Sequence, residues 1–122
     1  MPENELTTIH GTPALVVPEG GAPLDTIHAA TEMLGDAAWS DAELVVFPVS
    51  RLTDDFFELK TGLAGEVTQK YVNYRLKLAI VGDIESRLAE STSLRAWVAE
   101  SNRGRQLWFV PTLEALAEHL QK

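Results

Sequence analysis

A chain of 122 residues, 45% hydrophobic and 23% charged, is one domain with enough apolar side chains for a core. Its net charge of −8 repels phosphate backbones and anionic bilayers, so neither nucleic acid nor a membrane is an expected partner. The absence of cysteine excludes disulfides, thiolate metal sites and a cysteine nucleophile, and it fits a cytoplasmic location.

Residues 5–10 (ELTTIH) have the composition of a short strand. Gly11, Thr12 and Pro13 have turn chemistry, and residues 14–17 (ALVV) supply a second strand, so the chain is expected to open with a hairpin. The opening MPENELTTIHG has no basic stretch followed by an apolar run, so no leader is expected. After a Pro- and Gly-rich loop, residues 24–34 place Leu24, Ile27 and Leu34 at helical spacing, with Gly35 as the expected C-cap. Trp39 falls in the loop that follows, the one tryptophan off a predicted core face. Residues 44–47 (LVVF) form a continuous apolar run stopped by Pro48, the pattern of a strand buried on both faces.

Residues 53–74 (TDDFFELKTGLAGEVTQKYVNY) organise the chain. Thr53 is placed to cap a helix, and Asp54 and Asp55 suit the positive end of its dipole. Phe56, Leu59, Leu63, Val67, Tyr71 and Tyr74 recur every three or four residues, which predicts one helix, or two joined near Gly62. Gly62 and Gly65 each cost about 1 kcal/mol inside a helix. They are expected either to pack closely against a neighbouring element or to form a small-residue patch ringed by Lys60, Glu66, Gln69, Lys70 and Asn73.

Residues 75–81 (RLKLAIV) supply the next strand, ended by Gly82 and Asp83. Short helices follow at residues 84–88 and 93–101, then a strand at residues 106–110 (QLWFV) and a helix capped by Thr112. The order ββα-βα-βα-βα predicts an α/β domain spanning residues 1–122. Its sheet is mostly parallel, of four to five strands, with an N-terminal hairpin and right-handed crossover helices.

Phosphate loops, nucleophile elbows and zinc motifs are all missing, and His10, His28 and His119 have no ligand spacing. No catalytic residue, metal or cofactor is assigned. Asp54 and Asp55 are adjacent, hence about 100° apart on a helix, and do not form a dyad. Asp83 follows a strand at its C-terminal end, where ligands of open α/β sheets gather, and has the chemistry of a turn or cap residue as well.

The runs DDFFELKTGLAGEVTQKYVNYRLKLAIVGD and SLRAWVAESNRGRQLWFV resemble the bacterial family of unknown function DUF4180. That resemblance implies no activity. A fainter one, carried by VVFPVSRLTDDFFELKTG leading into a helix, is to the STAS domains of anti-sigma-factor antagonists. It implies a STAS-like fold in which a partner kinase phosphorylates a Ser or Thr at a helix N-terminus and so breaks a protein complex. The corresponding region holds Ser50, Thr53 and, after a gap, Thr61, with Thr61-Gly62 matching part of the usual signature.

The expected function is therefore a regulatory protein-interaction module with a protein partner. Its candidate surface is Ser50, Thr53, Asp54, Lys60, Thr61, Gly62, Gly65, Glu66, Asn73, Arg75 and Asp83. One alternative is a small-molecule-binding protein or small enzyme, with a pocket at the C-terminal strand ends and Lys60, Glu66 and Arg75 as its charged groups. Another is a homodimer that associates through the glycine patch.

Overall fold

The apolar run LVVF becomes the middle strand of a five-stranded sheet. The computed structural model describes residues 5–19, 31–32, 34–35, 37 and 39–120. Its strands are β1 (Glu5–Ile9), β2 (Thr12–Val16), β3 (Leu44–Pro48), β4 (Lys77–Val81) and β5 (Leu107–Val110). Their spatial order follows the chain; β1 and β2 pair antiparallel and every later pair is parallel. The helices are α1 (Asp54–Phe57), α2 (Leu63–Asn73), α3 (Glu85–Glu90), α4 (Thr92–Arg103) and α5 (Leu113–Leu120), with 3-10 turns at Val49–Arg51 and Leu59–Thr61. The expected α/β class, hairpin and mostly parallel sheet are those observed. Among the described residues no helix is long and apolar enough to cross a membrane.

Strand alternation sorts the side chains onto two faces. Leu15, Val45, Phe47, Leu78, Ile80, Leu107 and Phe109 share one cluster with Leu34, Phe56, Val67, Tyr71, Leu94 and Val98. The described parts of the crossovers from β2 through to β5 therefore lie on that face, as right-handed connections must when strand order never reverses. Ala14, Leu44, Val46, Ala79, Trp108 and Val110 point the other way and pack with Leu116 of α5. The tryptophans predicted to be core behave so: Trp108 is buried, and Trp97 packs edge-on to Phe109 with ring centroids 5.5 Å apart.

Five local expectations are corrected. The hairpin turn is His10-Gly11, both at positive φ (45° and 82°), so Thr12 and Pro13 lie in the strand; this mirror-image two-residue turn matches strand twist. The helix predicted at residues 24–34 lies mostly outside the described residues. Its described remainder is helical at positions 31, 32, 34, 35, 37 and 39, so Gly35 does not end it and Trp39 belongs to a helix rather than a loop. Leu34 and Ala37, three apart and buried, carry that helix past the glycine. The strand predicted to start at residue 75 starts at Lys77, because Arg75 is spent in closing α2. Thr53 makes no side-chain cap.

Candidate functional site

The stretch after β3 runs through four short conformations before it becomes a long helix. Pro48 is the last residue of β3, still paired with Val81, and the chain then makes the 3-10 turn Val49–Arg51. Gly82, at φ +146, lies against this turn, and a Cβ there would stand 2.7 Å from a Val49 methyl. Only glycine lets the exits of β3 and β4 approach so closely. One turn of α1 follows, with Phe56 and Phe57 buried and Asp54 and Asp55 outward. A second 3-10 turn leads to Gly62, which is left-handed at φ +77 and starts α2. The apolar periodicity passes through this break because Leu59 and Leu63 still pack on the core. Of the two sequence alternatives, two helices meeting at Gly62 is the one observed, the first being a single turn.

Thr61 holds the break together. Its hydroxyl proton is shared between the Asp55 carbonyl at 2.7 Å and the Glu58 carbonyl at 2.9 Å, and its oxygen accepts from the Leu63 N–H at 3.2 Å. The side chain thus closes α1, spans the 3-10 turn and satisfies an amide at the start of α2. Thr53 behaves differently. Its Oγ1 is wholly buried and, among the described residues, has no hydrogen-bond partner, while the Phe56 N–H bonds to the Thr53 carbonyl instead. The three hydroxyls singled out by sequence are therefore unequal: Thr53 is shielded, Thr61 is committed to the backbone, and Ser50 is exposed on the 3-10 turn.

Between this segment and the junction of α3 with α4 lies a cleft of about 630 Å³. Phe57, Leu59 and Leu94 are its apolar components; Asp54, Asp55, Glu58, Lys60, Arg87 and Glu90 supply its charge. Arg87 is fixed from two sides, donating to Asp54 Oδ1 at 2.9 Å and lying over the Phe57 ring at 4.3 Å. The Lys60 ammonium is 3.5 Å from Glu58. Both ion pairs are largely exposed and contribute roughly 0–1 kcal/mol each. They neutralise two of the four lining carboxylates, which leaves Asp55 and Glu90 as a negative surplus.

The remaining sequence candidates divide between the two ends of the sheet. Asp83 lies just past the C-terminal end of β4, where its Oδ1 accepts from the Glu85 N–H at 2.9 Å and caps α3, the turn-and-cap role its chemistry suggested. Glu66 is exposed in the first turn of α2. Asn73 accepts from the Gln69 amide on the exposed side of the same helix, at its far end. Arg75 is at that end too: it has φ +60, and Leu76 N–H to Tyr71 O together with Arg75 N–H to Val72 O complete a Schellman closure. Lys60, Glu66 and Arg75 accordingly do not gather into one pocket. The C-terminal strand ends instead border a small apolar recess of about 210 Å³ that includes Val16, Val46, Pro48, Val81 and Leu113. With strand order never reversing, the sheet has no switch-point crevice of the kind that holds ligands in doubly wound folds.

Gly65 also departs from the close-packing expectation. It is exposed, and a Cβ there meets nothing within 4 Å beyond its own helical backbone. It edges a shallow depression together with Thr68, Trp97 and Leu107. Sequence reasoning missed three residues. Arg51 is buried and donates from Nη1 to the Pro18 carbonyl at 2.8 Å, tying the exit of β3 to the exit of β2. Arg87 and Glu90 form the far wall of the cleft. Nothing near Arg87 in sequence marks it, since its partner Asp54 is 33 positions away.

A search of curated proteins and a search of solved structures both return no match, and the fainter STAS resemblance finds no support in these comparisons. A family model does match, and over nearly the whole chain: with residues 9–120 covered, the protein belongs to DUF4180, a domain of unknown function.

Proposed function

We propose that the chain is a non-enzymatic regulatory interaction module whose docking surface is the cleft between the segment after β3 and the α3–α4 junction. The observation that carries this reading is the cleft's lining: outward carboxylates in surplus over cations, arranged around the fixed Arg87–Phe57 pair. Such a surface suits a basic side chain of a protein partner. A guanidinium or ammonium would enter between Asp55 and Glu90, while Asp54 stays engaged with Arg87. Electrostatic complementarity of this kind sets association rate and partner choice more than raw affinity. The Thr61 bonds and the Arg87 contacts hold the wall in shape before the partner arrives, which lowers the ordering cost of association.

Ser50 is the candidate phosphoacceptor whose position suits a kinase, because it is exposed beside the segment. A phosphate there adds nearly two negative charges next to the docking surface and would alter the fit of a basic partner.

The test is native mass spectrometry of the protein isolated from its own cells, compared with an Asp55→Lys/Glu58→Lys double variant. The expected result is a heavier assembly for the unaltered chain that is lost in the variant, which keeps its fold because both positions are exposed. A bare chain in both samples contradicts the proposal.

A further inference from the structure

Where β4 and β5 begin, on the face that packs with α5, lies a second charged cavity, of about 490 Å³ and opposite sign. Lys77, Arg103, Arg105 and His119 line it with Trp108 and Leu120, and no carboxylate is among its described lining residues. In a chain of net charge −8 that is a marked local reversal.

Two of these groups have a sufficient structural role, His119 by packing its ring on Trp108. Arg103 lies in the last turn of α4, where a cation complements the helix dipole, and it also pairs with Glu100 at 3.1 Å. Lys77 and Arg105 have no such role. Lys77 pairs with Leu44 in the register and shares the face of Ala79 and Trp108, where the pattern calls for an apolar residue. Its stem passes the Trp108 ring, with the ammonium 5.8 Å from the ring centroid, and brings the charge to the cavity. Arg105 is exposed on the loop that enters β5.

That loop is held in place. Asn102 clamps the Phe109 backbone, donating to its carbonyl at 3.2 Å and accepting from its N–H at 2.7 Å. The Trp108 indole N–H donates to the Gly104 carbonyl at 2.8 Å, and the His119 ring packs against the same indole, centroids 4.7 Å apart. The cations are thus carried on elements locked to one another.

We infer that this cavity binds a small soluble phosphomonoester. Three cations converging from β4, the end of α4 and the loop into β5 suit a dianion better than a single carboxylate. The volume exceeds what a bare ion fills and falls in the range of small-molecule sites, and Leu120 and the edge of Trp108 offer apolar surface to the organic part. The proposal does not rest on the docking cleft, which lies beyond the opposite ends of the strands.

The test is amide NMR of the full chain titrated with phenyl phosphate, with phenol and with sodium chloride at matched ionic strength as references. Saturable shifts are expected at Gly104, Arg105 and the Trp108 indole N–H with phenyl phosphate alone. Arg105→Glu and Lys77→Met are each expected to weaken binding by about tenfold or more, the loss of one charge-assisted contact, with the rest of the spectrum unchanged. Shifts that fail to saturate, that phenol or chloride reproduces, or that persist in both variants would overturn the inference.

Discussion

Arg75 sits where helices usually place glycine. At φ +60 it closes α2, and a side chain there costs about 1–2 kcal/mol relative to right-handed backbone. Arg75→Gly is expected to raise stability by roughly 0.5–1 kcal/mol in urea denaturation, and Arg75→Val to lower it. Tyr71 one turn earlier is fully buried, and desolvation pushes its phenol far above the ordinary 10.0. Below that value both folded and unfolded chains keep the proton, so stability is unaffected. As pH rises through it, the unfolded chain ionises while Tyr71 does not, the unfolded state binds fewer protons, and stability falls by up to ~1.4 kcal/mol per pH unit. Tyr71→Phe is expected to flatten this alkaline loss, measured by urea denaturation at neutral pH and beyond the ordinary tyrosine value. Residue roles of this sort were only partly legible in the sequence. Asp83 and Thr112 cap as their types suggest, Thr112 Oγ1 accepting from the Ala115 N–H at 3.0 Å. Thr53, with the same credentials, is turned inward and caps nothing. Arg51 and Arg87 carried no signal at all, because a buried or cross-chain arginine is defined by partners distant in sequence.

At the scale of elements, periodicity located the strands and most helices, since burial of one face is what makes them form. It failed where the backbone departs from regular geometry while its apolar side chains stay in phase. Leu59 and Leu63 continue the helical stripe across Gly62, so the stripe alone could not tell one helix from two. Gly62 and Gly65 looked equivalent and are not. Gly62 needs positive φ, whereas Gly65 is ordinary exposed helix with open space where a side chain would stand. Gly65→Leu is therefore expected to stabilise by about 0.5–1 kcal/mol through helix propensity and cover over Trp97, read as a raised urea midpoint. A loss of stability above 1 kcal/mol would restore the close-packing reading. The candidate site was legible as a segment but not as a cleft, because its second wall comes from α3 and α4.

The whole molecule follows from one topological fact: strand order matches chain order. The described parts of the crossovers between parallel strands therefore cover one face, α5 packs on the other, and the charged concavities lie at the ends of the strands rather than in a central crevice. The acidic cleft lies by α1, beyond the C-terminal ends of β3 and β4, and the basic cavity lies by Arg105, where β4 and β5 begin. The measurement that tests the docking assignment most directly is photo-crosslinking in the native cell, with benzoylphenylalanine in place of Asp55 and, separately, in place of Glu114 on the exposed side of α5. A discrete adduct with one protein from position 55 and none from position 114 is the predicted result. Equal labelling from both positions, or none from position 55, would contradict it.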